Sequence, residues 1–150
     1  MFRNRCFYFL FIATISVLFL TGCPGASDFD VDLPGEYSIV RLSAHEVKIA
    51  PKTSANGWGK AIIPTKVIEA GWNNQYIIAK QVELMKDPKR NNGMEIPDEK
   101  NYHYWILEIK NGKVTGPLDD ADFTKKKQEY QIFDDVVLKS VGDLERNYTY

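Results

Sequence analysis

Hydrophobic and polar residues alternate strictly over residues 28–33, where Phe29, Val31 and Leu33 are separated by aspartates. A period of two places successive side chains on opposite faces of an extended chain, so this pattern predicts a β-strand with one buried face. A proline and a glycine follow directly and predict a turn. The folded region is therefore expected to begin with a half-buried strand.

Four other short apolar runs predict further strands. They are residues 37–42, 45–50, 67–72 and 76–84. Each run contains β-favouring residues and is bounded by residues that are common in turns. The intervening residues 51–60 and 86–101 are polar and contain prolines or glycines, so they predict loops, of which the second is long and exposed.

The strongest local signal is Asn111-Gly112 between residues 102–110 and 113–115. Asn-Gly is favoured in two-residue hairpin turns, because both positions of such a turn require a positive φ. This turn would pair Ile109 with Val114 and Leu107 with Gly116. One face of the predicted hairpin, which we expect to form the core, then carries His103, Trp105, Leu107, Ile109 and Val114.

A helix is predicted directly after this hairpin. Asp119 is a favourable N-cap residue, and Asp122 follows three positions later. Leu118 and Phe123 occupy the two positions of a hydrophobic staple on either side of that cap. We expect the helix to continue to about Tyr130.

Residues 136–140 fit either a further strand or a second helix, because their apolar positions satisfy both periods. The whole pattern predicts an α+β fold that consists mainly of an antiparallel β meander with tight hairpins, followed by one helix in the C-terminal half.

The N-terminal residues 1–22 have the pattern of a bacterial secretory signal. Arg3 and Arg5 give a positive start, and residues 6–20 are all apolar or small. The apolar run is shorter than the ~20 residues that cross a bilayer as a helix, so a cleaved signal is favoured over a retained transmembrane anchor.

Leu20, Thr21, Gly22 and Cys23 resemble the lipobox of bacterial prolipoproteins. In a lipobox, an aliphatic residue and two small residues precede a cysteine that is thioether-linked to diacylglycerol. The resemblance implies cleavage before Cys23 and fatty acylation, for example with palmitate, at that residue. Two or three acyl chains anchor a protein stably, so we expect a lipid-anchored protein at the extracytoplasmic face of the cell membrane.

This assignment divides the chain into three parts. They are the lipoprotein signal peptide 1–22, the lipidated N-terminus and tether 23–27, and a single globular domain 28–150. A domain of this size has room for one hydrophobic core.

Charge and cysteine content narrow the classes of function. Arg3 and Arg5 leave with the signal, so the mature chain has 17 basic residues against 20 acidic ones. An acidic balance argues against a nucleic-acid partner. Cys6 also leaves with the signal and Cys23 carries lipid, so no thiol or disulfide is expected in the domain.

The mature chain resembles a family of uncharacterised lipoproteins from Firmicutes, a domain-of-unknown-function family. The positions that carry the resemblance are Leu33-Pro34-Gly35, Tyr37, Ile39, Arg41, Ala44-His45-Glu46-Val47, Tyr104-Trp105 and Gly116-Pro117. The resemblance implies a Gram-positive cell surface and brings no activity with it.

The two histidines are the first candidates for chemistry. His45 and His103 each fall on the apolar side of a predicted strand and could meet in one sheet. Together they could serve acid–base catalysis, but no cysteine and no carboxylate at fixed spacing completes a metal site. Core or sheet histidines are favoured, and we expect neither a metal nor another cofactor, nor any catalytic residue. The strand-like alternation of residues 28–33 also argues against a calcium loop.

Aromatic residues are the candidate binding residues. Trp58 lies in a glycine-bearing loop, and Tyr102 and Tyr104 lie on the strand face opposite His103. Exposed aromatics often mark contact sites, but packing onto a neighbouring element is the favoured explanation. The sequence favours a non-enzymatic module that binds an envelope protein or a cell-wall component. The alternatives are a small hydrolase-like envelope enzyme that uses the two histidines, and a structural or inhibitory lipoprotein.

Overall fold

The computed structural model describes residues 28–134 and 136–148. The predicted signal peptide, the lipobox and the tether that begins at Cys23 lie outside these residues. Within them, no helix has the length and the apolar character needed to cross a membrane.

The first sheet is antiparallel and runs in chain order. It contains β1 (Phe29–Leu33), β2 (Tyr37–Arg41), β3 (Val47–Ser54) and β4 (Gly57–Trp58). The alternation predicted for β1 is confirmed, because Val31 and Leu33 are buried while its aspartates are exposed. Gly35 has a φ of +76°, and a Cβ at this position would overlap Ile109 of the other sheet. The turn after β1 therefore requires glycine.

The prediction for residues 45–50 needs correction at both ends. Ser43 Oγ accepts hydrogen bonds from the backbone N–H groups of His45 and Glu46, at 3.3 and 3.0 Å. This turn keeps His45 out of the strand, which begins only at Val47. The strand then continues through half of the predicted loop 51–60, because its last residues are exposed and polar side chains are tolerated there.

The second sheet is also antiparallel and contains the remaining strands. They are β5 (Val67–Trp72), β6 (Tyr76–Lys86), β7 (Glu95–Glu108), β8 (Lys113–Leu118) and β9 (Lys139–Ser140). Their order in the sheet is β8-β7-β6-β5-β9, so β5 to β8 form the predicted meander and β9 returns to its free edge. The antiparallel, mainly β architecture is thus confirmed.

The Asn111-Gly112 hairpin is present, but its predicted register is wrong. Leu107 pairs with Val114 and Glu108 with Lys113, so the turn contains four residues rather than two. The N–H of Ile109 donates to Gln75 O at 2.9 Å, which ties Ile109 to the neighbouring turn instead of to β8. Of Asn111 and Gly112, only Gly112 has a positive φ.

Half of the residues in the exposed loop predicted for 86–101 are strand. β6 and β7 continue beyond the rest of the sheet and pair as far as Lys86 and Glu95. Residues 83–101, which we call the ribbon, therefore form a two-stranded extension. The sequence did not predict this extension, because a ribbon that is solvated on both faces needs no alternation of apolar and polar residues.

The helices are α1 (Asp120–Glu129) and α2 (Val141–Tyr148). The predicted start of α1 is confirmed: Asp119 is the N-cap, and its side chain accepts the N–H of Asp122 at 2.8 Å. Residues 136–140 contribute only the short strand β9, and α2 follows directly. The described chain therefore has two helices in its C-terminal half, where the sequence predicted one.

Two hydrophobic cores lie on opposite faces of the second sheet. The first joins both sheets and α2, and its buried members include Ile39, Ile49, Ile63, Val67, Ile77, Leu107 and Leu144. Trp105, Ile109 and Val114 pack against it as predicted, but His103 does not belong to it. The second core lies under α1 and contains Ile78, Tyr104, Ile106, Phe123, Ile132 and Val136. Because of this second core, both faces of β7 are partly buried.

Candidate functional site

Tyr104 is buried and is not available as the exposed contact residue that the sequence suggested. Its ring stacks on Phe123 with centroids 4.4 Å apart, and only 8% of the residue is exposed. Its hydroxyl donates a hydrogen bond to Asp120 Oδ1 at 2.8 Å. Tyr104 thus joins β7 to the first turn of α1. Tyr104 therefore packs onto a neighbouring element, as the favoured interpretation has it, because α1 covers this face of the sheet.

Burial, and then the hydrogen bond to the Asp120 carboxylate, raise the pKa of Tyr104 to about 12. The unfolded value is ~10, so the neutral phenol stabilises the fold fully below pH ~10. This contribution should be lost as the pH rises through about 12. In an ultraviolet phenolate titration, one tyrosine of the wild type should ionise late, and the Tyr104→Phe variant should lack that phase. Superimposable titration curves would contradict this environment.

Trp58 and Tyr102 are half-buried and lie in different sheets. Trp58 is in β4 opposite Lys52, and its Nε1 is buried without a hydrogen-bond partner. Lys80 Nζ lies 4.5 Å from the centre of the Tyr102 ring, a cation–π contact. The three predicted aromatics do not converge on one contact surface.

The two histidines also lie apart. His45 is exposed in the turn before β3 of the first sheet, and His103 is in β7 of the second. They therefore do not meet in one sheet as expected. His103 Nε2 is 3.0 Å from Glu83 Oε1, and both side chains are partly exposed.

A row of polar side chains continues inward from His103 on the same face of the sheet. Its cross-strand neighbour Gln81 is only 7% exposed. Gln81 Oε1 accepts a hydrogen bond from Trp105 Nε1 at 2.6 Å, and its Nε2 donates to the carbonyl of Thr65. Both ends of the buried amide are satisfied, so the row has a structural explanation.

Carboxylates are paired or dispersed within the described ranges. No group of three or more His, Cys, Asp or Glu residues there could hold a metal ion. Asp32 on β1 accepts a hydrogen bond from Lys52 Nζ at 2.6 Å and another from Ser38. The hydrogen bond from Lys52 is the main reason why the pKa of Asp32 is lowered. This carboxylate belongs to the solvated face of a strand.

Every residue of the ribbon is exposed or half-buried. Its tip is organised by Asp87, whose Oδ1 accepts the N–H of Lys89 at 2.8 Å. Its base is organised by Asp98, which accepts hydrogen bonds from Lys100 N and Asn101 Nδ2, at 3.2 and 2.7 Å. These contacts order both ends of the ribbon, and Arg90 Nη1 donates to Met94 Sδ at 3.4 Å near the tip.

Two methionines give the ribbon an apolar component. Met85 and Met94 are 40% and 43% exposed, and both lie close to the tip. The basic residues Lys86, Lys89 and Arg90 lie near them, together with two acids. Asp87 pairs with Arg90 at 3.7 Å, and Glu95 is the cross-strand partner of Lys86. The tip therefore has a small excess of positive charge and is partly apolar.

A cavity of about 240 Å³ is the second candidate site, at the end of the sheets where β2 ends and β5 begins. Arg41, Lys66, Ser140, Val141 and Gly142 are among the residues that line it. The sequence pattern did not predict this cavity, because the residues that line it are far apart in the chain. Arg41 was singled out only through the family resemblance.

A family model described as "Protein of unknown function (DUF3997)" matches residues 34–142. No curated protein and no solved structure matches the chain. The matched segment starts at the turn after β1 and ends in the first turn of α2, so it contains the whole ribbon and every residue that lines the cavity. The chain therefore belongs to this family of proteins of unknown function, DUF3997.

Proposed function

We propose that this protein is a lipoprotein of a Gram-positive cell envelope, held at the outer face of the membrane by lipid on Cys23. Residues 1–22 are its signal peptide, and residues 23–27 tether the domain. The support is the position of the lipobox Leu20-Thr21-Gly22-Cys23 directly behind an apolar run of signal length.

The domain acts as a non-enzymatic binding module, and the ribbon is its contact element. The observation that carries this proposal is that β6 and β7 pair only with each other beyond Val82 and Tyr104, while the exposed Met85 and Met94 lie near the tip. Methionine adapts its shape to different partners, and basic side chains favour an acidic surface. The partner is accordingly a protein or cell-wall component of the envelope with an acidic contact surface.

The enzyme alternative has less support. His45 lies in the turn before β3 and His103 lies in β7 of the other sheet, where it contacts one exposed carboxylate, Glu83. A general acid–base pair needs a reacting group within hydrogen-bond reach, and Trp105 and Gln81 beside this pair are already hydrogen-bonded to each other.

Site-specific photo-crosslinking in living cells tests the contact element. A photoreactive amino acid at Met94 should give discrete high-mass adducts of the protein. The matched control is the same amino acid at Thr124, an exposed position on α1 far from the ribbon in the chain. Adducts at Met94 should disappear when Lys89 and Arg90 are both replaced by glutamate. Equal adduct patterns at the two positions would contradict a ribbon-specific partner.

A further inference from the structure

The cavity beside Arg41 lies where the described chain enters the domain. Arg41 is the cross-strand partner of Phe29, the first residue of β1. Its guanidinium carbon lies 5.4 Å from the centre of the Phe29 ring. The cavity therefore opens next to the point at which the chain arrives from Cys23.

The charged side chains that line the cavity are basic, and the Asp143 carboxylate lies beside them in the first turn of α2. Among the described residues that line it, Arg41 and Lys66 are the charged ones, and none is a carboxylate. Neither cation forms an ion pair with a described residue. The Nε atom of Arg41 is buried and has no hydrogen-bond partner. A buried donor without an acceptor costs free energy, and an anion in the cavity would remove that cost.

The opposite wall supplies further hydrogen-bond donors. Ser140 contributes a hydroxyl group, and Val141 and Gly142 begin α2. The first N–H groups of a helix have no acceptor within the helix, and the helix dipole adds positive potential at this end. Two cations, a hydroxyl and backbone N–H groups together form a donor set suited to the oxygens of a phosphate group.

Size restricts what the cavity can hold. Its volume of about 240 Å³ accommodates a phosphate group with its immediate substituents. This is below the ~300 Å³ at which pockets for whole drug-sized ligands begin, so a lipid acyl chain would remain outside.

We propose that this cavity binds the headgroup phosphate of an anionic phospholipid in the membrane that carries the Cys23 anchor. The proposal rests on the lipid anchor proposed above. The five residue steps from Cys23 to Asp28 span at most about 18 Å, so this end of the domain stays near the headgroups. A single flexible tether leaves the domain free to rotate, whereas a second contact at Arg41 and Lys66 fixes one orientation on the bilayer.

The test uses the full-length, lipidated protein reconstituted into two kinds of vesicle. One contains phosphatidylcholine only, and the other contains phosphatidylcholine with phosphatidylglycerol. Flotation first establishes that the protein is anchored. Limited acetylation with a neutral, water-soluble reagent then compares Lys66 with Lys110. Lys110 is the internal control because it lies far from the cavity. It is in the β7–β8 turn, whereas Lys66 forms backbone hydrogen bonds with Val82 at the opposite end of the sheet.

In the phosphatidylglycerol vesicles, the ratio of Lys66 acetylation to Lys110 acetylation should fall about tenfold. A phosphate that accepts one charge-assisted hydrogen bond from the Lys66 ammonium group lowers the reactive, neutral fraction of this amine by about that factor. Arg41→Gln should remove most of this protection, and the conservative Arg41→Lys should retain it. Inorganic phosphate added to phosphatidylcholine vesicles should not protect Lys66.

Three outcomes would overturn the proposal, and they are distinguishable. If the protein floats with the vesicles but its acetylation ratio is the same in both kinds of vesicle, the headgroup site is excluded and the lipid anchor is not. Full protection by inorganic phosphate shows that the cavity takes phosphate but that lipid is not its source. Protein that fails to float overturns the lipid anchor, and the headgroup site with it.

Discussion

Replacing Cys23 with serine is expected to abolish membrane attachment completely. In the proposed lipoprotein, the side chain of Cys23 is the acylation site, and acylation is what permits cleavage after Gly22 in such precursors. Among residues 28–134 and 136–148, no helix is long and apolar enough to cross a bilayer. Two or three acyl chains anchor a protein stably, so their loss removes the proposed anchor.

Metabolic labelling with a tagged fatty acid measures this directly. The wild type should take up label and remain with the membrane fraction, and its mature form should begin at Cys23. The Cys23→Ser form should take up no label and should be found as the uncleaved precursor or in the medium. The matched control is Cys6→Ser, which should leave labelling unchanged. Undiminished labelling of Cys23→Ser, or a mature wild type that still contains Cys6, would show that residues 6–20 are a retained anchor.

Elements with one buried face could be predicted closely from the sequence. β1 has the predicted bounds to within a residue, because its side chains alternate between the core and solvent. β5 also has the predicted bounds, although Ala70 and Gly71 are buried in succession. The start of α1 was equally clear, since an N-cap is a local arrangement of a few consecutive residues. Asp119 and Phe123 hold this helix end as the sequence indicates.

Elements that depend on distant contacts could not be predicted in this way. The hairpin register at Asn111 is set partly by the hydrogen bond from Ile109 to Gln75, and no property of the hairpin itself reveals that bond. The ribbon is stabilised by cross-strand pairing rather than by burial, so its sequence has the composition of a loop. β9 is a strand only because β5 offers it a free edge.

The candidate sites also divide into features that are visible in the sequence and features that depend on contacts between distant residues. The aromatic residues were conspicuous in the sequence, yet Tyr104 is explained by its packing on Phe123. The cavity was missed because Arg41, Lys66 and Ser140 become neighbours only when the first sheet, the second sheet and α2 assemble. A single arginine in an amphipathic strand gives no local signal that its Nε will be buried without an acceptor.

Replacing Gly71 with alanine is expected to destabilise the fold by about 3 kcal/mol, the upper part of the usual range for overpacking a core. Gly71 is buried in β5, beneath the segment that leads into β9. A Cβ at this position would overlap the carbonyl oxygen of Val137 and would lie 2.8 Å from its carbonyl carbon. Because the obstructing atoms belong to the backbone, no side-chain rotation can relieve the overlap.

The displaced segment connects the two cores, which is why the effect should be large. Val136 belongs to the second core, and Val141 belongs to the first. Between them, Lys139 and Ser140 pair with Ala70 and Glu69 of β5. Moving residues 137–138 outward therefore weakens the strand pairing and the burial of both valines together.

Urea unfolding of the purified protein measures the loss as a lower transition midpoint. Gly142→Ala is the matched control, because the nearest atom to its added Cβ is Ser140 Oγ at an ordinary 3.8 Å. That variant should be unchanged or slightly more stable, since alanine restricts the unfolded chain. Val137→Ala separates the backbone contact from the side chain, which is 56% exposed, and should change stability by less than about 0.5 kcal/mol. A Gly71→Ala midpoint equal to that of the wild type would mean that residues 137–138 do not lie against β5.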